Sequence, residues 1–285
     1  MYNREFTAAW EGLSPIQREA AQWDDGPLLL LASPRSGTAK VLACRIARLL
    51  DSSRAQKYRI ICITFSHQAA NEIKYDVRRF VPRQEDRLLL GTFHSFCEDV
   101  LRQHGIHLKI KSNFRVHSQN RHLQMILNDA VEKAKKRCNL ISDADKTTLP
   151  VIQHLKSFLI LPEQCREAFL DQRFAERMAV VYPAYEAELA ERNVLDFNSL
   201  IFKTYQLLTK YPILAKRYRT VYRHICIERF QEMTIPQYKI IRAITVDQYT
   251  NLFMIVDDEQ TMYQREQGQR IMQFRNDYSP TVMQL

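Results

Sequence analysis

Five short apolar runs, separated by segments of helical period, set the fold class of this 285-residue chain before any single residue is weighed. They are Leu28 to Leu31, Ile60 to Phe65, Leu88 to Leu90, Ile225 to Ile227 and Leu252 to Val256. Continuous apolar runs this short suit strands buried on both faces of a parallel sheet. Between the first two, Thr38 to Leu50 places Val41, Leu42, Ile46, Leu49 and Leu50 on one helical stripe. Between the second and third, His67 to Phe80 reads the same way. Strand–helix–strand alternation predicts an α/β fold, a parallel sheet joined by right-handed crossovers. From about Gln103 to Arg192 the strand-like runs give way to helical periodicity, as in His122 to Lys136 and Pro162 to Glu191. The β/α pattern resumes near Leu195. A helical block that splits an α/β pattern predicts an inserted all-helical subdomain.

Composition narrows the function classes. No apolar run approaches the roughly 18 residues of a membrane span, and MYNREFTAAWEG lacks the apolar core of a signal peptide. The cysteines are Cys44, Cys62, Cys97, Cys138, Cys165 and Cys226, with no CxxC and no zinc spacing. That predicts a reduced cytoplasmic protein without a disulfide frame or metal cluster, with Cys44, Cys62 and Cys226 as core thiols. A formal charge of +9 fits a polyanionic partner, nucleic acid first, and equally a merely solvated basic surface. The basic run Lys133 to Arg137 admits the same two readings, a solvated helix face or a DNA contact. Glycine is scarce: six residues, where average usage of roughly 7% would give about 20.

The first apolar run leads into Ala32-Ser33-Pro34-Arg35-Ser36-Gly37-Thr38-Ala39-Lys40, and a helix follows. Strand, loop and helix N-terminus are the setting of a phosphate-binding loop. Taken with its neighbours in order, the chain resembles the N-terminal half of UvrD/Rep/PcrA-type superfamily 1 DNA helicases. Leu13-Ser-Pro-Ile-Gln17 resembles the family's Q motif, Thr64-Phe-Ser-His-Gln-Ala-Ala-Asn-Glu-Ile73 its motif Ia, and Gly91-Thr-Phe-His-Ser-Phe-Cys97 its motif Ib. Leu195-Asp-Phe-Asn-Ser-Leu200 resembles LDFDDLL, and Ile227-Glu-Arg-Phe-Gln-Glu232 sits where VDEFQD is expected. Asp257-Asp-Glu-Gln-Thr-Met-Tyr263 resembles DDDQSIY of motif III, which outweighs reading Asp257 and Asp258 as a metal pair.

The resemblance covers nearly the whole chain. It implies a RecA-like P-loop NTPase sheet in two parts, 1–110 and 193–285, around a helical insert at 111–192. It implies ATP and Mg²⁺ as cofactors and single-stranded or duplex DNA as partner. It also implies a second RecA-like domain, bearing the arginine finger, which a protein partner would supply because this chain stops at Leu285. By the same resemblance Gln17 is the adenine reader and Gln260 the γ-phosphate sensor. Thr64, Phe65, His94, Tyr263 and Arg265 fall among the DNA contacts, with Arg265 replacing an aromatic platform by a guanidinium that still stacks on bases. From the residues alone, Gln17 is equally an exposed helix glutamine. Phe65 is equally a strand-end core residue, and His94 a hydrogen-bonded structural histidine.

The departures concentrate in the chemistry. Ala32 and Gly37 keep the loop's frame, but Thr38 replaces the phosphate-binding lysine and Ala39 the hydroxyl that ligates Mg²⁺. Ser33 and Arg35 replace two glycines of the family loop, and Val256 a third at motif III. Lys40 lies two residues past the lysine position, about 200° around the helix. It is expected to point away from the phosphates and to keep the lesser role of a residue near the adenine. Glu228 keeps the metal-ligand charge on a longer arm, while Arg229 puts a permanent cation where the family has its general base. Without lysine and base together, hydrolysis is expected near background. The sequence therefore predicts a helicase-like domain that binds nucleic acid without ATP turnover. Two other readings stay open: an ATPase or helicase subunit completed by another chain, and a structural interaction module or truncated product.

Overall fold

The computed structural model describes residues 3–33, 36–52, 58–136, 146–245, 251–257 and 265–285, without the side chains of residues 85 and 265–267. The chain forms two compact units, Met1–Phe96 with Tyr211–Leu285, and Cys97–Lys210. In chain order the described elements begin with α1 (Arg4–Glu11), α2 (Pro15–Gln22), β1 (Leu28–Ala32), α3 (Thr38–Ser52), β2 (Arg59–Thr64), α4 (His67–Phe80), β3 (Leu88–Thr92) and α5 (Phe93–His104). Then come β4 (Arg115–His117), α6 (Asn120–Lys135), α7 (Thr148–Ser157), α8 (Gln172–Glu191), β5 (Val194–Asp196) and α9 (Phe197–Lys210). The chain closes with α10 (Pro212–Val221), β6 (Tyr222–Ile227), α11 (Ile235–Thr245), β7 (Leu252–Asp257), α12 (Arg265–Tyr278) and β8 (Thr281–Gln284).

The first unit holds a six-stranded sheet of order β3-β2-β6-β7-β1-β8, and every registered pair is parallel. The five apolar runs are β1, β2, β3, β6 and β7, so the expected α/β class is the one found. The sixth strand, β8, is one that periodicity did not reveal. Thr281, Val282 and Gln284 are exposed, and a half-solvated edge strand never reads as a continuous apolar run. One face packs Leu28, Leu30, Ile60, Cys62, Cys226, Phe253 and Ile255 against Val41, Leu42, Ile46 and Leu49 of α3. Cys44, Cys62 and Cys226 are fully buried, as expected of core thiols, and Cys138 lies outside the described residues.

The core also swallows two cationic side chains. Arg45 is 3% exposed, donates to the carbonyls of Ala21 and Trp23, and lies 4.6 Å from the centre of the Phe253 ring. His224 is held to about 4 by burial, with Arg45 next in effect.

The second unit is mainly helical and carries one short parallel pair, β4 with β5, whose three-residue strands are too brief to register as a pattern. It also runs wider than the 111–192 stretch drawn from periodicity. Leu123, Ile126, Leu127 and Val131 of α6 meet Met178, Val181, Tyr182 and Tyr185 of α8. Beside this core the fully buried Lys156 donates to Asp196 at 2.7 Å and to the Ser199 hydroxyl at 2.8 Å, and lies 2.5 Å from Glu186. Asp196 in turn accepts from the Ser199 amide at 2.6 Å, capping α9, and from the Tyr185 hydroxyl at 3.2 Å. Burial by itself would raise Glu186, but Lys156 and Lys203 override it and hold that carboxyl at about 2. Among the described residues no helix is long and apolar enough to cross a membrane.

Two outcomes follow from these buried charges. Lys156→Met leaves two buried carboxylates without their cation, and urea denaturation should register a loss of about 3–5 kcal/mol. The His224 imidazole protonates near 6.5 in the unfolded chain and only near 4 in the folded one. Stability is therefore full above pH 6.5 and falls by up to about 3 kcal/mol as pH drops toward 4. In His224→Gln, melting curves across that window should lose this component of the decline.

Candidate functional site

The carboxyl ends of the parallel strands gather the loops on one edge of the sheet, where α/β folds place their ligands. Register aligns Ala32 of β1 with Asp257 of β7 and Ile227 of β6 with Met254. The 33–37 loop, Thr64-Phe65, Glu228-Arg229 and Asp257 therefore all leave the sheet on this edge.

The loop after β1 keeps its backbone logic. Gly37 has φ +77, a left-handed conformation that a side chain disfavours, and a Cβ there would sit 3.3 Å from Gln17 Nε2. The carbonyl of Gly37 accepts from the amides of Lys40 at 3.0 Å and Val41 at 3.1 Å, which starts α3. The first amides of α3 are thus aimed off its N-terminus, an electropositive cradle. Ser33 is exposed, Ser36 Oγ is buried without a hydrogen-bond partner, and Pro34 and Arg35 lie outside the described residues. Thr38 and Ala39 are half-buried, and Ala39 packs against the core. Lys40 turns away from the loop, as its helical phase requires. Its Nζ stands 3.1 Å from where a Cβ on Gly12 would be, and it lines a hollow of about 450 Å³ with Arg4, Glu5, Asp76 and Arg79.

Gln17 is tied at both ends of its amide. Its Oε1 accepts from the Ser14 amide at 2.8 Å, closing a capping box at the start of α2. Its Nε2 donates to the carbonyl of Ser36 at 2.8 Å, bracing the phosphate-loop backbone against α2.

The far side of the edge is built by the end of β6. Glu228 is 7% exposed, and its amide donates to Ile63 at 2.9 Å. Burial pushes its carboxyl up, Arg229 opposes the shift, and Glu72 and Glu232 add to it. Its Oε2 has no hydrogen-bond partner, and neither has the buried Oδ1 of Asp257. Arg229 adopts φ 54 and ψ 47 with its side chain 43% exposed, and its guanidinium pairs with Glu232. Gln231, which motif comparison did not single out, is fully buried. Its Oε1 accepts from the Asp257 amide at 3.2 Å, tying the turn after β6 to the end of β7. Only a buried glutamine beside two acidic residues could have signalled that tie in sequence.

The residues matched to DNA contacts differ in accessibility. Thr64 is fully buried, and its hydroxyl donates to the Ser66 carbonyl at 2.8 Å. Phe65 and His94 are half-buried, and burial lowers the His94 imidazole. Gly91 has a local reason: a Cβ there would stand 2.4 Å from Ser95 Oγ, the hydroxyl that bonds the Thr92 carbonyl at 2.8 Å and holds the start of α5. Asp258, Gln260 and Tyr263 lie outside the described residues, as does the side chain of Arg265.

Comparison with known proteins agrees with this arrangement. The family described as the UvrD/REP helicase N-terminal domain matches residues 13–279. The chain is 29% identical over 268 residues to the ATP-dependent DNA helicase PcrA of Staphylococcus aureus strain Mu50, covering 92% of this chain and 36% of the relative. It is 29% identical over 272 residues to PcrA of Staphylococcus epidermidis, covering 94% of this chain and 36% of that protein. The chain thus spans little more than a third of the length of these relatives.

The double tie of Gln17 generates a stability test. Gln17→Ala removes the cap and the brace, at about 1 kcal/mol per bond. Gln17→Glu keeps an acceptor for Ser14 but sets a carboxylate oxygen against the Ser36 carbonyl, and should melt lower than Gln17→Ala.

Proposed function

The chain belongs to the UvrD/REP helicase N-terminal domain family, and from that premise we propose that it is a nucleic-acid-binding member of the family that does not turn over ATP. The observation that carries the reading is the combination at the carboxyl edge. The phosphate-loop backbone is retained around Gly37, while Thr38, Ala39 and Arg229 occupy the three positions where the family places its lysine, hydroxyl and general base. Thr38 offers the β and γ phosphates no charge, Ala39 offers Mg²⁺ no oxygen, and a guanidinium takes no proton from water. Glu228 alone keeps a carboxyl for the metal, and its Oε2 is buried. This donor set does not fit a hydrolysis-competent Mg²⁺–ATP complex. In this reading residues 1–110 and 193–285 are the two parts of a RecA-like domain and 111–192 the insert, in a cytoplasmic protein.

Single-stranded DNA is the polymer that the reading favours, contacted by the motif Ia and Ib side chains Phe65 and His94. Both are half-buried, leaving surface for a base or phosphate. The net charge of +9 supplies the long-range attraction. Oligonucleotide affinity should fall steeply as salt rises, because phosphate neutralisation releases counterions. Phe65→Ala should weaken single-strand binding by about 1–3 kcal/mol. No ATP hydrolysis should accompany binding, with or without DNA. Salt-independent binding would sink the reading. DNA-stimulated hydrolysis, with this chain alone or with a second chain bringing another RecA-like domain, would replace it with that of a helicase subunit.

A further inference from the structure

The lost lysine is not the last word on charge at this edge. The cation missing at position 38 has a counterpart at Arg229, on the turn that leaves β6 beside the same loops. Its backbone is held on both sides. The Glu228 amide bonds Ile63 at 2.9 Å, and the Glu232 amide bonds the Arg229 carbonyl at 2.9 Å. Between them Arg229 sits at φ 54, a region that costs a non-glycine residue free energy, so its presentation is imposed by the surrounding structure. Its guanidinium is 43% exposed, and its pairing with Glu232 is a surface pair of the kind that a stronger anion displaces.

A second, independent feature points to a missing partner. Glu228 is 7% exposed, and its Oε2 is buried without a hydrogen-bond partner. Strand alternation puts it on the face of Cys226, two residues earlier, which packs in the same cluster as Val41 and Leu42 of α3. Glu228 thus faces the side of the sheet on which α3 begins. Buried Ser36 Oγ and Asp257 Oδ1 are without partners on the same edge. Carboxyl oxygens left so are completed by a cation. Arg229 already acts electrostatically on Glu228, and its five donors let it bridge a carboxyl and a phosphate at once.

Resting on the reading above, we propose that this edge binds a triphosphate without a divalent metal, Arg229 serving as the built-in cation between the carboxyls and the phosphates at the N-terminus of α3. The shared chemistry is that of a nucleoside triphosphate and of inorganic triphosphate.

The test is calorimetric titration of the full chain with ATP and, separately, with sodium triphosphate, each in EDTA and in excess Mg²⁺. Both anions should bind in EDTA, and Mg²⁺ should leave the affinity unchanged or lower it. Tighter binding of ATP would identify the nucleotide as the ligand, and equal binding the phosphate chain alone; either supports the proposal. Arg229→Gln should weaken both at least tenfold, Arg229→Lys should recover part of the loss, and Glu232→Gln, which frees the guanidinium, should tighten both. Melting curves of the variants check folding, and tightening in Glu232→Gln is an effect that a purely structural role does not produce. Binding that requires Mg²⁺, binding unaffected by Arg229→Gln, or no binding at millimolar anion overturns the proposal. Salt-sensitive DNA binding without hydrolysis would still stand in those cases, so the failure of this inference and of the reading beneath it are separable.

Discussion

Burial of the central strands on both faces is the constraint on which the rest of this structure depends. A strand such as Leu28–Ala32 can lose its water only if helices cover it above and below. Covering helices demand crossover connections, and crossovers make the strands parallel. Parallel strands then send every outgoing loop to one edge. The candidate site follows from that sequence of requirements: residues 33–37, 64–65, 228–229 and 257 are neighbours because hydrophobic strands needed cover, whatever chemistry their loops bear.

The same logic explains how an edge can keep its shape while its chemistry changes. The backbone of the phosphate loop depends on Gly37, on the capping of α2 and on the Gln17 brace, none of which involves Thr38 or Ala39. On the other side, the turn after β6 depends on amide bonds of Glu228 and Glu232 and on the buried Gln231, and these are indifferent to the charge of residue 229. Fold and catalytic chemistry are carried by different atoms, so side chains at 38, 39 and 229 can depart from the family while the sheet does not.

Much of this was legible in the chain because it is local. Leu28–Ala32, Arg59–Thr64 and Leu252–Asp257 announce themselves as continuous apolar runs, and α4 spans the same His67–Phe80 that its period marks out. The phase of Lys40, turned from the loop toward Gly12, follows from helix geometry alone. What escaped is what depends on distant partners. The strand β8 is half-solvated and pairs only with β1. The three-residue strands β4 and β5 find each other across about 80 residues of chain. Lys156 reads as one more surface lysine until Asp196 and Glu186 close around it.

The sequence by itself determined the parallel α/β class, the break into a helical block, the motif order and the side-chain chemistry available at positions 38, 39, 228 and 229. These rest on local periodicity and residue identity, which need no partner. Only the tertiary structure decided that Gln17 braces the loop, that Gln231 ties the turn after β6 to the end of β7, and that buried oxygens of Glu228 and Asp257 stand without partners near an accessible Arg229. Burial and hydrogen bonding are properties of pairs brought together by folding, and no single position in a chain carries them.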